Sequence, residues 1–187
     1  MGATVQSEKT KMLAGELYDP TDEELQAYRH RAHGLCRDLA AAVTADESHQ
    51  FLRELFGAQV PATVVVTPPF FCDYGFNVEL GENIYFNTNC VLLDTCRIFI
   101  GRNTLLGPGV HIYTVNHPMD PVLRRSGQEF GKPVVIEEDV WIGGSSVICP
   151  GTTIGARTVV GAGSVVTTSL PADVFAAGNP CRVIRHL

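Results

Sequence analysis

Tryptophan and charge are scarce in this sequence: Trp141 is the sole tryptophan, and charged residues make up 18% of the 187 positions. The basic residues never gather, since Arg124 and Arg125 form the longest Lys/Arg run, and 14 Lys and Arg against 20 Asp and Glu leave a formal net charge of −6. An acidic chain without a basic stripe has no broad surface to lay against a nucleic-acid duplex or an anionic membrane. No apolar stretch approaches the ~18 residues of a spanning helix. The run from Met1 to Lys11 is polar, which predicts neither a signal peptide nor a membrane anchor. No Cys-x-x-Cys spacing occurs among Cys36, Cys72, Cys90, Cys96, Cys149 and Cys181. A chain of this length builds a core without staples, so reduced, mostly buried thiols in a cytoplasmic protein are expected.

What is present divides in two. Residues 10–57 carry helical signals. Thr21 and Glu24 have the spacing of a capping box, followed by Leu25, Tyr28, Ala32, Leu35 and Leu39 at steps of three and four, which lines one helix face with apolar groups. A second box, Thr44 and Glu47, opens a shorter helix whose Phe51, Leu52, Leu55 and Phe56 precede Gly57 as a stop. These features predict an N-terminal helical segment over residues 1–60.

From about residue 61 to 187 β-branched residues and glycine take over. Six consecutive hexads begin with Ile136, Ile142, Ile148, Ile154, Val160 and Val166, and two more begin with Ile100 and Leu106. A looser set runs through Leu80, Phe86, Leu92 and Ile98, with a two-residue slip before Ile100. A six-residue period suits a coil of short strands stacked on itself, with each aliphatic residue pointing inward. Gly101, Gly107, Gly143, Gly155 and Gly161 are expected at the corners, where a side chain clashes or φ is positive. The predicted fold is mainly β, a parallel β-helix. The pattern is interrupted once at length, over residues 113–133, and an insertion projecting from a rigid coil is a natural seat for function. His117, followed by Pro118, sits near its start.

The hexads, together with segments 12–18 (MLAGELY), 113–118 (YTVNHP) and 178–184 (GNPCRVI), resemble the hexapeptide-repeat acetyltransferases of the maltose and galactoside O-acetyltransferase group, on the maltose side. The resemblance implies a left-handed β-helix, a homotrimer with active sites between neighbouring prisms, acetyl-CoA as co-substrate, a sugar acceptor and no metal. It implies direct transfer with His117 as general base and Asn87 as oxyanion donor. Asp73, Tyr85, Asp94 and Asp19 match acceptor-side positions. Glu129 is read as orienting His117 or holding sugar. Trp141, Gly144, Ala162, Thr167, Thr168, Arg182 and Arg185 match positions for CoA. Thr95 stands where the galactoside branch has a second acidic residue, and Thr168 where that branch has a lysine. Other acceptors remain open, including galactosides, chitooligosaccharides, amino sugars and xenobiotics, as does a non-catalytic scaffold. A zinc site of three histidines is disfavoured, because His111 and His117 have no third partner before His186.

Overall fold

In the computed structural model residues 6–187 are described. The first five residues of the predicted helical segment, and the start of the polar run Met1 to Lys11, lie outside the described residues. Three helices come first: α1 (Glu8–Ala14), α2 (Glu23–Ala41) and α3 (Ala45–Phe56). Helix α3 opens with the expected box, Thr44 Oγ1 accepting from the Glu47 N–H at 3.2 Å and Glu47 Oε2 from the Thr44 N–H at 3.1 Å. The start of α2 differs from expectation. Asp22, not Thr21, is the cap, and its carboxylate accepts from the Leu25 N–H at 3.2 Å. An ionised acceptor at a helix N-terminus gains from the helix dipole as well as the hydrogen bond. Thr21 is drawn instead to Asp19 Oδ1, donating its N–H at 2.8 Å and its hydroxyl at 2.7 Å.

Leu25, Ala32, Leu35 and Leu39 are buried as their spacing predicts. Ala32, Leu35 and Leu39 join α3 and the start of the coil in the main core. Leu25 belongs to a smaller cluster with Met12, Tyr18 and Tyr74, which fastens α1 and the turn after it to the coil.

From Val65 the chain winds into parallel coils with three flat faces. The first face stacks six parallel strands from Val65–Val66 to Val174–Ala177 and ends with an antiparallel strand, Arg182–His186. The second stacks five strands from Phe70–Cys72 to Val165–Val166, and the third stacks four from Val78–Leu80 to Thr153–Ile154. The eight hexad heads, Ile100 to Val166, are all inside, each at most 1% exposed. At the corners the clash expected for glycine is real: a Cβ on Gly107 would lie 2.5 Å from the Gly144 nitrogen, and one on Gly101 2.6 Å from the Glu137 carbonyl carbon. Positive φ falls elsewhere, at Asn103, Asp139, Ser145 and Arg157, among others.

The two-residue slip has a place in the fold. Early coils pair residues 20 apart (Val91 with His111), later ones 18 apart (Val147 with Val165). The extra residues lie in the corner between the second and third faces, where Leu92 to Ile100 takes eight residues and Ile148 to Ile154 takes six. The insertion 113–133 leaves from that same corner one coil later. It is a hairpin, Val115–Asn116 pairing antiparallel with Phe130–Gly131, with one helical turn at Pro121–Arg124.

All six cysteines are free. Cys90 and Cys96, six residues apart, are both buried but do not stack: Cys90 pairs with Phe70 on the second face, while Cys96 backs Gly131 at the corner. Burial pushes the Cys90 thiol up to about 11 and also raises Cys96, the wrong direction for a nucleophile. A Cys90→Ala, Cys96→Ser variant that stays folded is expected to keep wild-type turnover, and a lost chemical step would indicate a covalent route.

Candidate active site

One edge of the prism, between the second and third faces, gathers polar groups from chain segments far apart in sequence. Asp73 and Tyr74 come from the first widened corner, Thr95 from the second, and Glu129 from the returning arm of the insertion. With Pro20, Thr21 and Arg29 they line a cavity of ≈330 Å³. The Arg29 guanidinium is tied to the Tyr74 hydroxyl and the Pro20 carbonyl. Asp73 has a looser environment. His33 Nε2 stands 3.7 Å from its Oδ1, beyond hydrogen-bond distance, and that nitrogen is buried without a partner among the described residues. Burial pushes the Asp73 carboxyl up to about 6, and the neighbouring Glu129 adds to the rise. Burial lowers the pKa of His33, with a contribution from Arg29.

His117 borders this cavity through Glu129. Its side chain is 53% exposed, and its Nε2 lies 3.9 Å from Glu129 Oε1, beyond hydrogen-bond distance. The other oxygen of Glu129 accepts from the buried Tyr18 hydroxyl at 2.7 Å. Neither Tyr18 nor Arg29 stands out in the sequence as a site residue. The only hint for Tyr18 was its place in the MLAGELY segment.

Two expected acceptor contacts are placed differently. Asp94 is 0% exposed, and its two oxygens accept from the N–H groups of Tyr74 and Gly75, both at 2.8 Å. The turn one coil below requires this carboxylate, so Asp94 builds the wall behind Asp73 and does not open on the cavity. Thr95, its neighbour, is the residue on the lining. Burial raises the Asp94 carboxyl to about 7 against the pull of its backbone donors. Asp94→Ala is expected to strand both donors, roughly 1–3 kcal/mol for each, and thermal denaturation measures that loss. Asp19 is exposed and occupied by Thr21. Its neighbours Pro20 and Thr21, not Asp19 itself, reach the cavity.

A second edge, between the first and second faces, carries the remaining candidates. Asn87 sits there just after the strand Tyr85–Phe86, and its Oδ1 accepts from the Thr88 N–H at 2.8 Å. That bond commits the amide oxygen and leaves the amide NH2 as the donor on offer. Tyr85 lies on the adjoining face, where the Thr67 hydroxyl donates to its phenol oxygen at 3.1 Å. Higher on the same edge come Gly144 and Ala162, beside the 54% exposed Trp141. Four coil steps, about 19 Å at ~4.8 Å each, separate Asn87 from Ala177, whose partner across the last strand pair is Arg182. Arg185 pairs with Phe175, its guanidinium 5.8 Å from that ring. Thr167 and Thr168 follow the strand Val165–Val166, which places them on the edge that bears the insertion.

Asn87 and His117 are therefore not brought together within one chain. A whole second-face strand lies between their edges, and Cys90 to Leu93 alone spans about 10 Å. Among the described residues no group of three or more His, Cys, Asp or Glu side chains is arranged to hold a metal ion, and no helix is long and apolar enough to cross a membrane.

Comparison with known proteins gives this geometry a context. A family described as the maltose acetyltransferase hexapeptide capping motif matches residues 11–59, and one described as bacterial transferase hexapeptide, six repeats, matches residues 133–168. Nodulation protein L of Rhizobium meliloti (strain 1021) is 46% identical over 179 residues, 95% of this chain and 97% of that protein. A maltose O-acetyltransferase from Clostridium difficile 630 superposes with a TM-score of 0.95 at 44% identity, covering 98% of this chain and 99% of that one. A hexapeptide-repeat acetyltransferase of Vibrio cholerae, solved in complex with acetyl-coenzyme A, has a TM-score of 0.86 at 38% identity, over 97% and 99% of the two chains. The chain belongs to the hexapeptide-repeat acetyltransferase family, in its maltose and galactoside O-acetyltransferase group.

Proposed function

We propose that this protein is an acetyl-CoA:sugar O-acetyltransferase, working as a homotrimer whose active sites form where the insertion-bearing edge of one copy meets the Asn87 edge of the next. The observation that carries this reading is the split site. His117, Glu129 and Asp73 share one edge, Asn87 and Gly144 the other, and a cyclic assembly apposes unlike edges of neighbouring copies.

In this reading the acceptor occupies the polar cavity, with one hydroxyl beside His117 and another donating to Asp73. The His117 imidazole takes the proton as the hydroxyl oxygen attacks the thioester carbonyl of acetyl-CoA. The tetrahedral intermediate places its negative oxygen against the amide NH2 of Asn87 from a neighbouring copy. The carbon–sulfur bond then breaks, CoA leaves with the electron pair, and the imidazolium returns the proton to the sulfur. The pantetheine arm lies along the column of small residues at Gly144 and Ala162, where missing side chains let a ligand approach the backbone. Trp141 flanks it, Thr167 and Thr168 face it from the opposing edge, and Arg182 and Arg185 meet the phosphates. The free, mostly buried thiols fit a cytoplasmic setting for this chemistry.

Thiol release from acetyl-CoA, measured with maltose, glucose, galactosides, chitooligosaccharides and simple amines, tests the activity. Acetylation of a sugar hydroxyl is expected, and preference for an amine or failure to bind acetyl-CoA would overturn the reading. Sedimentation equilibrium is expected to return three times the 20.3 kDa chain mass, and a monomer at micromolar concentration would rule out the shared site.

Two further outcomes follow. Arg182→Ala with Arg185→Ala is expected to raise the acetyl-CoA KM far more than it lowers kcat, because phosphate contacts remote from the reacting carbon contribute uniform binding. Asp73 gives a pH signature. Its carboxyl is raised to about 6 by burial, so it gains the charge that accepts a sugar hydroxyl as pH climbs through 6. The acceptor KM is therefore expected to rise as pH falls below 6, and Asp73→Asn is expected to remove that rise.

A further inference from the structure

We infer that the N-terminal strap, residues 8–19, belongs to the catalytic apparatus, with Tyr18 as the positioning residue that holds Glu129 toward His117. This deepens the proposed function and rests on His117 being the base.

His117 rides on an exposed hairpin, and positions 119–127 around its tip are all exposed. Within the hairpin the returning arm is held by its pairing with Val115–Asn116. The strap fixes it from outside. Tyr18 and Glu129, 111 positions apart in sequence, exchange backbone hydrogen bonds in both directions, at 3.0 Å and 3.1 Å. Gly15 lets the strap come this close, since a Cβ there would stand 2.8 Å from the Gly131 carbonyl oxygen. On the other side Gly131 presses on Cys96 and Thr95, so the arm is clamped between strap and coil.

Within that clamp the Tyr18 hydroxyl donates to Glu129 Oε2 at 2.7 Å, while Oε1 faces His117 Nε2 at 3.9 Å. One carboxylate is thus held by one oxygen and presents the other to the imidazole. Tyr18 is itself anchored, its ring buried with Met12, Leu25 and Tyr74. Burial and the Glu129 contact raise the pKa of its phenol, which keeps it a donor at any working pH. Remove the hydroxyl and the ring still packs, but Glu129 is free to swing, and the base loses the charge that aligns it. A base misplaced by about 1 Å forfeits up to a hundredfold in rate.

The test is a double-mutant cycle on Tyr18→Phe and Glu129→Gln, with His117→Ala measured alongside. Rates are followed by thiol release from acetyl-CoA with the fastest sugar acceptor and with water alone, so the result does not depend on knowing the acceptor. Tyr18→Phe is expected to lower kcat roughly tenfold to a hundredfold with the acetyl-CoA KM unchanged, because the CoA contacts lie elsewhere. Adding it to Glu129→Gln is expected to lower kcat no further, since there is then no carboxylate to hold. If Tyr18→Phe does not fold, Gly15→Ala, which pushes the strap off Gly131, carries the same expectation. Wild-type kcat in Tyr18→Phe, or losses that multiply in the double variant, would overturn the inference while His117→Ala still collapses. An active His117→Ala would instead sink the base assignment on which it rests.

Discussion

His117→Ala is expected to lower kcat by roughly 10²–10⁴, the usual size of a general-base contribution, with little change in acetyl-CoA binding. The imidazole sits on the insertion beside the candidate acceptor cavity, whereas the candidate CoA column of Gly144 and Ala162 runs along another edge. Removing the ring takes away the proton acceptor and leaves the co-substrate's contacts in place. The protein should remain folded, because the side chain is 53% exposed and carries none of the core. Steady-state kinetics with saturating acetyl-CoA, paired with a thermal melt, measures both parts. Turnover near the wild-type rate would return His117 to the status of an ordinary loop residue.

The second large effect belongs to Asn87. Its amide is assigned to an oxyanion that exists only along the reaction path, so Asn87→Ala is expected to lower kcat by about 10²–10³ while the KM for either substrate stays close to wild type. Asn87→Asp is the sharper variant. It keeps the shape and the bond from Thr88, but it replaces the donor by a negative charge facing the developing oxyanion. It should be at least as slow as the alanine variant. A larger effect on KM than on kcat would place Asn87 in ground-state binding instead.

The sequence reads well where the fold repeats. A six-residue period is one face of the prism, so the heads from Ile136 to Val166 read directly as interior residues, and they lie there. The insertion stood out for the same reason, as a break in a strict rhythm. Legibility ended where one segment answers another across the coils. Thr21 and Asp22 are adjacent candidate caps, and Asp22, the better cap by charge, takes the place while Asp19 holds Thr21. Asp94 carries a motif that matches an acceptor-side position, but its carboxylate serves two N–H groups about 20 residues earlier, a demand visible only once the coils are stacked. Tyr18 and Glu129 meet across 111 residues, a distance over which no spacing rule operates. The separation of Asn87 from His117 lies between these cases, because it follows from counting residues per coil, provided the register of each corner is known.

The central claim is that each active site draws His117 from one copy and Asn87 from another, and mixing two inactive proteins tests it most directly. His117→Ala and Asn87→Ala subunits, unfolded together in equal amounts and refolded, should assemble at random. An interface with an intact His117 and an intact Asn87 then arises with probability one half times one half, about a quarter of all sites. The mixture is expected to recover about a quarter of wild-type turnover, far above either parent refolded alone. Activity no greater than the average of the two parents, in a mixture shown by mass spectrometry to contain mixed trimers, would mean that both residues serve the same chain, and the shared site would have to be abandoned.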